Sequence, residues 1–173
     1  VETFERGGFK YHDLGVHGGT HVLHAVSLLW AGDIARMATM AASEMQVDAL
    51  IAVGVLAGID SSAADLGDVL VSAEVAWNPW AGGQADVDGA HPIHRVASSR
   101  RLLERFTSSA VLAPRDDPHW TPVRVGVLLA DSRLVGTFGR PGGWPADVPT
   151  ALGLDVAAAG MVAVATTTGV DWI

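Results

Sequence analysis

The chain has 173 residues, enough for one α/β domain with a sizeable core, and 49% of them are apolar against 17% charged. A net charge of −8 argues against general binding to a nucleic-acid backbone, which needs clustered Lys and Arg. The absence of cysteine excludes disulfides and thiolate metal sites and fits a cytoplasmic protein. The longest apolar runs, Ala49–Ala57 and Val156–Ala165, fall short of the ~20 residues that span a bilayer, so no membrane segment is expected. Nothing at the start reads as a signal peptide. Both ends read as cut: Val1 is no initiator, and Asp171-Trp172-Ile173 opens a strand that stops. The expectation is a single, partial domain over residues 1–173.

In chain order, Lys10–Leu14 and His21–Leu28 are predicted strands of a hairpin, joined by Val16-His-Gly-Gly-Thr20. Asp33 is a candidate helix N-cap, followed by Ile34, Met37, Ala38, Ala41 and Met45 on one helical face. Ala49–Val55 is a continuous apolar run, the pattern of a strand buried on both faces of a parallel sheet. It ends in Gly54-Val-Leu-Ala-Gly58, and glycines at such a carboxyl end let backbone approach a ligand. Asp68–Ala76 is the next strand, and Trp77–Ala90 a long polar loop. His94–Phe106 is predicted helical, with Val96, Leu103 and Phe106 inward and Arg100, Arg101 and Arg105 outward. Val123–Ala130 is a strand, Arg133–Pro149 a Gly- and Pro-rich connection, and Leu154–Thr167 a helix of small residues. Alternating strands and helices predict an α/β fold: a mixed, mostly parallel central sheet flanked by helices.

Three blocks stand in a telling order: Ala31-Gly-Asp-Ile-Ala35, the stretch 48–76 with its Gly67-Asp68-Val-Leu strand opening, and Asp155-Val-Ala-Ala-Ala-Gly160. Together they resemble the nucleoside phosphorylase and methylthioadenosine–S-adenosylhomocysteine nucleosidase superfamily, from about Val22 onward. Tyr11-His-Asp-Leu-Gly15 with Gly18-Gly19 most resembles nucleosidase-type modules fused into bacterial signalling and defence proteins. The resemblance implies a phosphorylase/hydrolase-like fold and cleavage of the base–ribose bond of a purine nucleoside or nucleotide, without a cofactor.

It also implies a site. In the family the third block supplies a Met under the ribose and a Glu that grips the 2′- and 3′-hydroxyls and offsets positive charge on the departing sugar. Val156 occupies the Met position and Ala157 the Glu position. Two explanations stand for Ala157: an introduced Glu→Ala change, favoured by the otherwise intact block, or a natural loss. Asp155 offers no obvious replacement if it lies on a helix, since residues two apart do not share a face. The family's general acid, an Asp after the next strand, and the Glu of its first strand have no counterpart here. Gly32 belongs to the first block's turn, Val55 and Leu56 to the turn that contacts sugar and base, and Leu134 and Val135 to the wall beside the purine. Core packing is an equally good reading of the last four.

The leading expectation is an N-glycosidase that is inactive with Ala157 in place. Water is the expected acceptor, because Asp33 at the helix start would repel phosphate. The alternatives are a catalytically dead nucleotide-sensing or scaffold module of a larger protein and, third, a purine nucleoside phosphorylase. The expected partners are the nucleoside or nucleotide and either a second copy or other domains of a larger protein, with no nucleic acid or membrane. Among seven histidines, His17-Gly-Gly-Thr-His21 has the spacing of a helical zinc pair. Its glycines oppose a helix, and His21 and His24 alternate across a strand, so no metal site is expected.

Overall fold

The amino-terminal part is a three-stranded meander formed by β1 (Glu2–Arg6), β2 (Phe9–His17) and β3 (Thr20–Ala25). In the computed structural model the residues described are 1–27, 31–59, 65–77, 93–112, 121–130, 148, 150–155 and 157–173. Both meander turns are two-residue Gly-Gly turns. Gly7 and Gly8 have φ of 59° and 81°, and Gly18 and Gly19 have 58° and 83°, the paired positive φ that a type I′ hairpin requires. The expected hairpin is therefore present, with an unforeseen strand, β1, on its outer edge. Tyr11 is buried on one face and stacks on Phe4, its cross-strand partner, at 5.4 Å.

Helix α1 spans Ala31–Glu44. Asp33 thus lies in its first turn, not at the N-cap, where it still faces the helix's positive end favourably. Two strands follow, β4 (Ala49–Leu50) and β5 (Ala57–Gly58).

The main sheet is built on β6 (Val69–Trp77), β7 (His94–Ala97), β8 (Val123–Ala130) and β9 (Ala151–Leu154), with β5 as one edge. Its order is β5-β9-β8-β6-β7. β9, β8 and β6 run parallel, and both edges are antiparallel. Helix α2 (Arg100–Leu112) packs Leu102 and Leu103 against Val71, Val123 and Ile173. Helix α3 (Ala158–Thr168) packs Ala158, Met161, Val162 and Ala165 against Val75, Leu128 and Ala130. Helix α1 lies on α3 through Ile34, Ala35, Ala38 and Ala42. Small residues along α3 suit this position between a helix and the sheet. A bulge in β6 at Ser72/Glu74 shifts the pleat by one residue. Val71 therefore joins the α2 core and Val75 the α3 core, although four residues apart on an unbroken strand they would share a face.

Three expectations fail here. Ala49–Val55 is not an interior strand. Only Ala49–Leu50 is strand, paired in parallel with β10 (Asp171–Trp172), and the ladder reaches Ala52, whose N–H donates to the Ile173 carbonyl at 2.9 Å. Ile51 is 54% exposed and Val53 and Val55 93% each, because no described strand covers their face. His94–Ala97 is strand, not helix: its backbone is taken by the β6 ladder, and Arg95 donates to Glu74 across the pair at 2.6 Å. Helix α2 starts only after Ser98-Ser99, and Leu102 takes the buried position while Phe106 stays 38% exposed. Finally, Leu154 ends a strand; α3 begins four residues later.

Candidate functional site

The parallel strands end on one rim. Register sets Trp77 beside Ala130 and Leu129 beside Leu154, so the carboxyl ends of β6, β8 and β9 are neighbours. Open α/β sheets place their ligands outside such ends. Trp77 is half-buried there, with the His94 ring tilted against it at 6.4 Å.

Asp155 leaves the rim of β9. Its N–H donates to the Leu129 carbonyl at 2.9 Å, which prolongs the pairing with β8 by one bond. Its carboxylate turns forward, and Oδ1 accepts from the Ala157 N–H at 2.8 Å, with the Ala158 N–H also in reach. Asp155 thus caps the amides that open α3, the local bonding that Asp offers where a helix begins. Burial holds its carboxyl above the usual carboxylate range, and the two amides offset only part of that rise.

Ala157 is the turn residue between Asp155 and α3, half-buried, with φ −72° and ψ −28°. The Leu56 turn meets this junction. Ala57 pairs with Leu154 and Gly58 with Gly153, and Gly153 has no room for a side chain: a Cβ there would overlap Leu56 Cδ1 and approach the Ala57 carbonyl to 3.1 Å. Leu56 is half-buried against the α3 core, whereas Val55 is exposed. Gly32 lies in the exposed first turn of α1. Leu134, Val135 and Val156 lie outside the described residues. The rim therefore gathers Leu56, Asp155 and Ala157, with Trp77 further along.

Asp155 is the residue that sequence reasoning set aside. Residues 155–157 precede the helix: α3 starts at Ala158, so the Asp155 carboxylate folds back onto position 157. An Asp two residues before a run of helix-forming Ala was the available signal. Among the described residues no cluster of three His, Asp or Glu could hold a metal, and no helix is long and apolar enough to cross a membrane.

No family model matches the sequence, and no curated protein is significantly similar to it. Solved structures do match. A protein assigned as a methylthioadenosine nucleosidase from Weissella paramesenteroides superposes with a TM-score of 0.78 at 17% identity, covering 99% of this chain and 71% of its own. The methylthioadenosine/S-adenosylhomocysteine nucleosidase of Colwellia psychrerythraea, solved with adenine, gives 0.72 at 18% identity over 99% and 69%. A futalosine hydrolase mutant of Helicobacter pylori gives 0.67 at 16% identity over 99% and 75%. The chain has the nucleosidase fold.

Proposed function

From this shared fold, we propose that the chain is a purine N-glycosidase module, silenced at position 157, that takes a purine nucleoside or nucleotide with water as acceptor. One observation carries the reading. Position 157 stands at the β9–α3 junction, beside the Leu56 turn, on the rim where a nucleoside would lie. A carboxylate side chain there would accept both ribose hydroxyls and offset the cationic character of the departing sugar. Asp155 cannot do this while its carboxylate is bonded to the α3 amides. Asp33 in the first turn of α1 supports water over phosphate, since its charge occupies the helix end an anion would need.

The test is Ala157→Glu in the full-length protein, with free adenine followed by chromatography from methylthioadenosine, S-adenosylhomocysteine, AMP and ATP. The change should raise release by roughly 10²–10³-fold, the usual worth of one preorganised electrostatic group. Phosphate-dependent release would move the assignment to a phosphorylase. Equal, negligible release with retained nucleoside binding would favour the second reading, a sensing or scaffold module, to which the unaltered Ala157 is suited. The module's other partner is a second copy or a neighbouring domain; the exposed row Ile51, Val53 and Val55 supports such a contact.

A further inference from the structure

We propose that His12 and His24 form a two-imidazole site for a borderline divalent cation (Cu²⁺, Ni²⁺ or Zn²⁺) on the open face of the amino-terminal meander. The two residues are direct cross-strand partners in the β2–β3 register, so their side chains leave the same face of the sheet. Their rings already meet, with centroids 5.8 Å apart and planes at 32°. Two imidazoles bound to one tetrahedral ion at about 2.1 Å bring their centroids to roughly 5 Å, so a shift of under about 1 Å closes the site. The opposite face of the meander is the occupied one: there Tyr11 is buried and stacked on Phe4.

The outer strand supplies the third member of the row. Thr3 pairs with His12, and its Oγ1 lies 3.3 Å from His12 Nδ1. With Thr3 accepting from Nδ1–H, His12 presents the lone pair of Nε2 outward, the support that metal-bound histidines commonly have. His24 is exposed and His12 half-buried, so both can be reached from solvent. On the same face Lys10 is the nearest row's cation, and it stands directly opposite Glu5, which balances it. Among the described residues no third His, Asp or Glu completes a cluster, so water fills the remaining positions. The other histidines of the meander are engaged elsewhere. His21 Nε2 is 2.8 Å from Asp13 Oδ1, and His17 Nε2 is 2.8 Å from the Leu14 carbonyl. The spacing His17-x-x-x-His21 drew attention in the sequence; the pair that meets is twelve residues apart, brought together by the Gly18-Gly19 turn.

The experiment is calorimetric titration of the full chain with CuCl₂, NiCl₂ and ZnCl₂ at pH 7.5 in a non-chelating buffer. One equivalent should bind, Cu²⁺ most tightly, as expected for imidazole ligands. His12→Ala and His24→Ala should each weaken binding at least about tenfold, and Thr3→Val by a smaller factor. Lowering the pH to 5.5 should weaken binding too, because metal and proton compete for imidazole. A second measurement needs no variant: sub-stoichiometric Cu²⁺ should broaden the NMR signals of His12 and His24 before those of His17 and His21. Affinity unchanged in both alanine variants, broadening centred on His17 or His21, or several weak equivalents without preference (an adventitious ion only) would each overturn the proposal.

Discussion

Two aspartates respond to pH with opposite signs. Burial raises the Asp155 carboxyl, and the Ala157 and Ala158 amides only partly counter it, so the fold favours its uncharged form. The stabilising contribution is complete below the ordinary aspartate value of about 3.9 and is lost as pH rises through the raised one. Asp155→Asn, which keeps an acceptor but cannot ionise, should flatten the stability profile above about pH 4. Urea midpoints taken in pH steps would show it, and a profile as steep as the parent's would refute it. Asp155→Ala should cost about 1 kcal/mol at low pH, by leaving the α3 amides uncapped, and less as pH rises. Asp68 behaves the other way. A hydrogen bond from Arg124, joined by one from the Asp65 amide, holds its carboxyl below the usual range. Its contribution is present above the ordinary value and lost as pH falls through the lowered one. Arg124→Met should therefore remove part of the protein's acid sensitivity, read in the same titration.

At the scale of elements, the site depends on how closely β9 and the Leu56 turn approach. Gly153 permits that approach, because a Cβ would meet Leu56 Cδ1, the Ala57 carbonyl and, at 3.3 Å, Leu70 Cδ1. Gly153→Ala should destabilise the chain by about 1–3 kcal/mol, as overpacking does. In the Ala157→Glu background it should also weaken nucleoside binding by pushing the turn off the rim. Chemical denaturation and a binding isotherm would measure the two effects, and a neutral result in both would show the contact to be slack. Gly7 and Gly8 offer a paired control in the β1–β2 turn. Both have positive φ, but only at Gly7 would a Cβ run into Met40. Gly7→Ala should cost more than Gly8→Ala, and Met40→Ala should remove the difference while leaving the backbone strain they share, about 1 kcal/mol.

Across the whole molecule, the parts legible in the sequence were those whose signal is local. The Gly18-Gly19 turn announces its hairpin, and Val123–Ala130 is bounded as a strand on both sides by Pro and Asp. Burial is not local, and Ala49–Val55 shows the cost of assuming it: the apolar run is there, yet its cover depends on strands from elsewhere. His94–Ala97 misled for a related reason. Four residues carry too little periodicity to separate strand from helix, and the β6 edge decided. Leu56 and Ala157, which the resemblance names, stand near one another at the rim, whereas the bonding of Asp155 is not readable in the sequence, because it follows from where α3 begins. The exposed row Ile51, Val53 and Val55 bears on assembly. Light scattering at micromolar concentration should find a dimer, and Val53→Glu with Val55→Glu should shift it to monomer; a parent protein that is already monomeric would rule this contact out.

The bulge at Ser72/Glu74 has a consequence for how this chain can change over evolution. One extra residue, Ala73, sits between Ser72, which pairs with Gly126, and Glu74, which pairs with Val127, and no residue of β8 stands opposite it. Losing Ala73 would leave those pairs as they are and give β6 an unbroken alternation. Val71 and Val75, then three residues apart, would keep opposite faces and stay in the α2 and α3 cores. A residue gained or lost at another point of β6 would turn every side chain beyond it over. The length of the strand is thus negotiable at one point and fixed elsewhere.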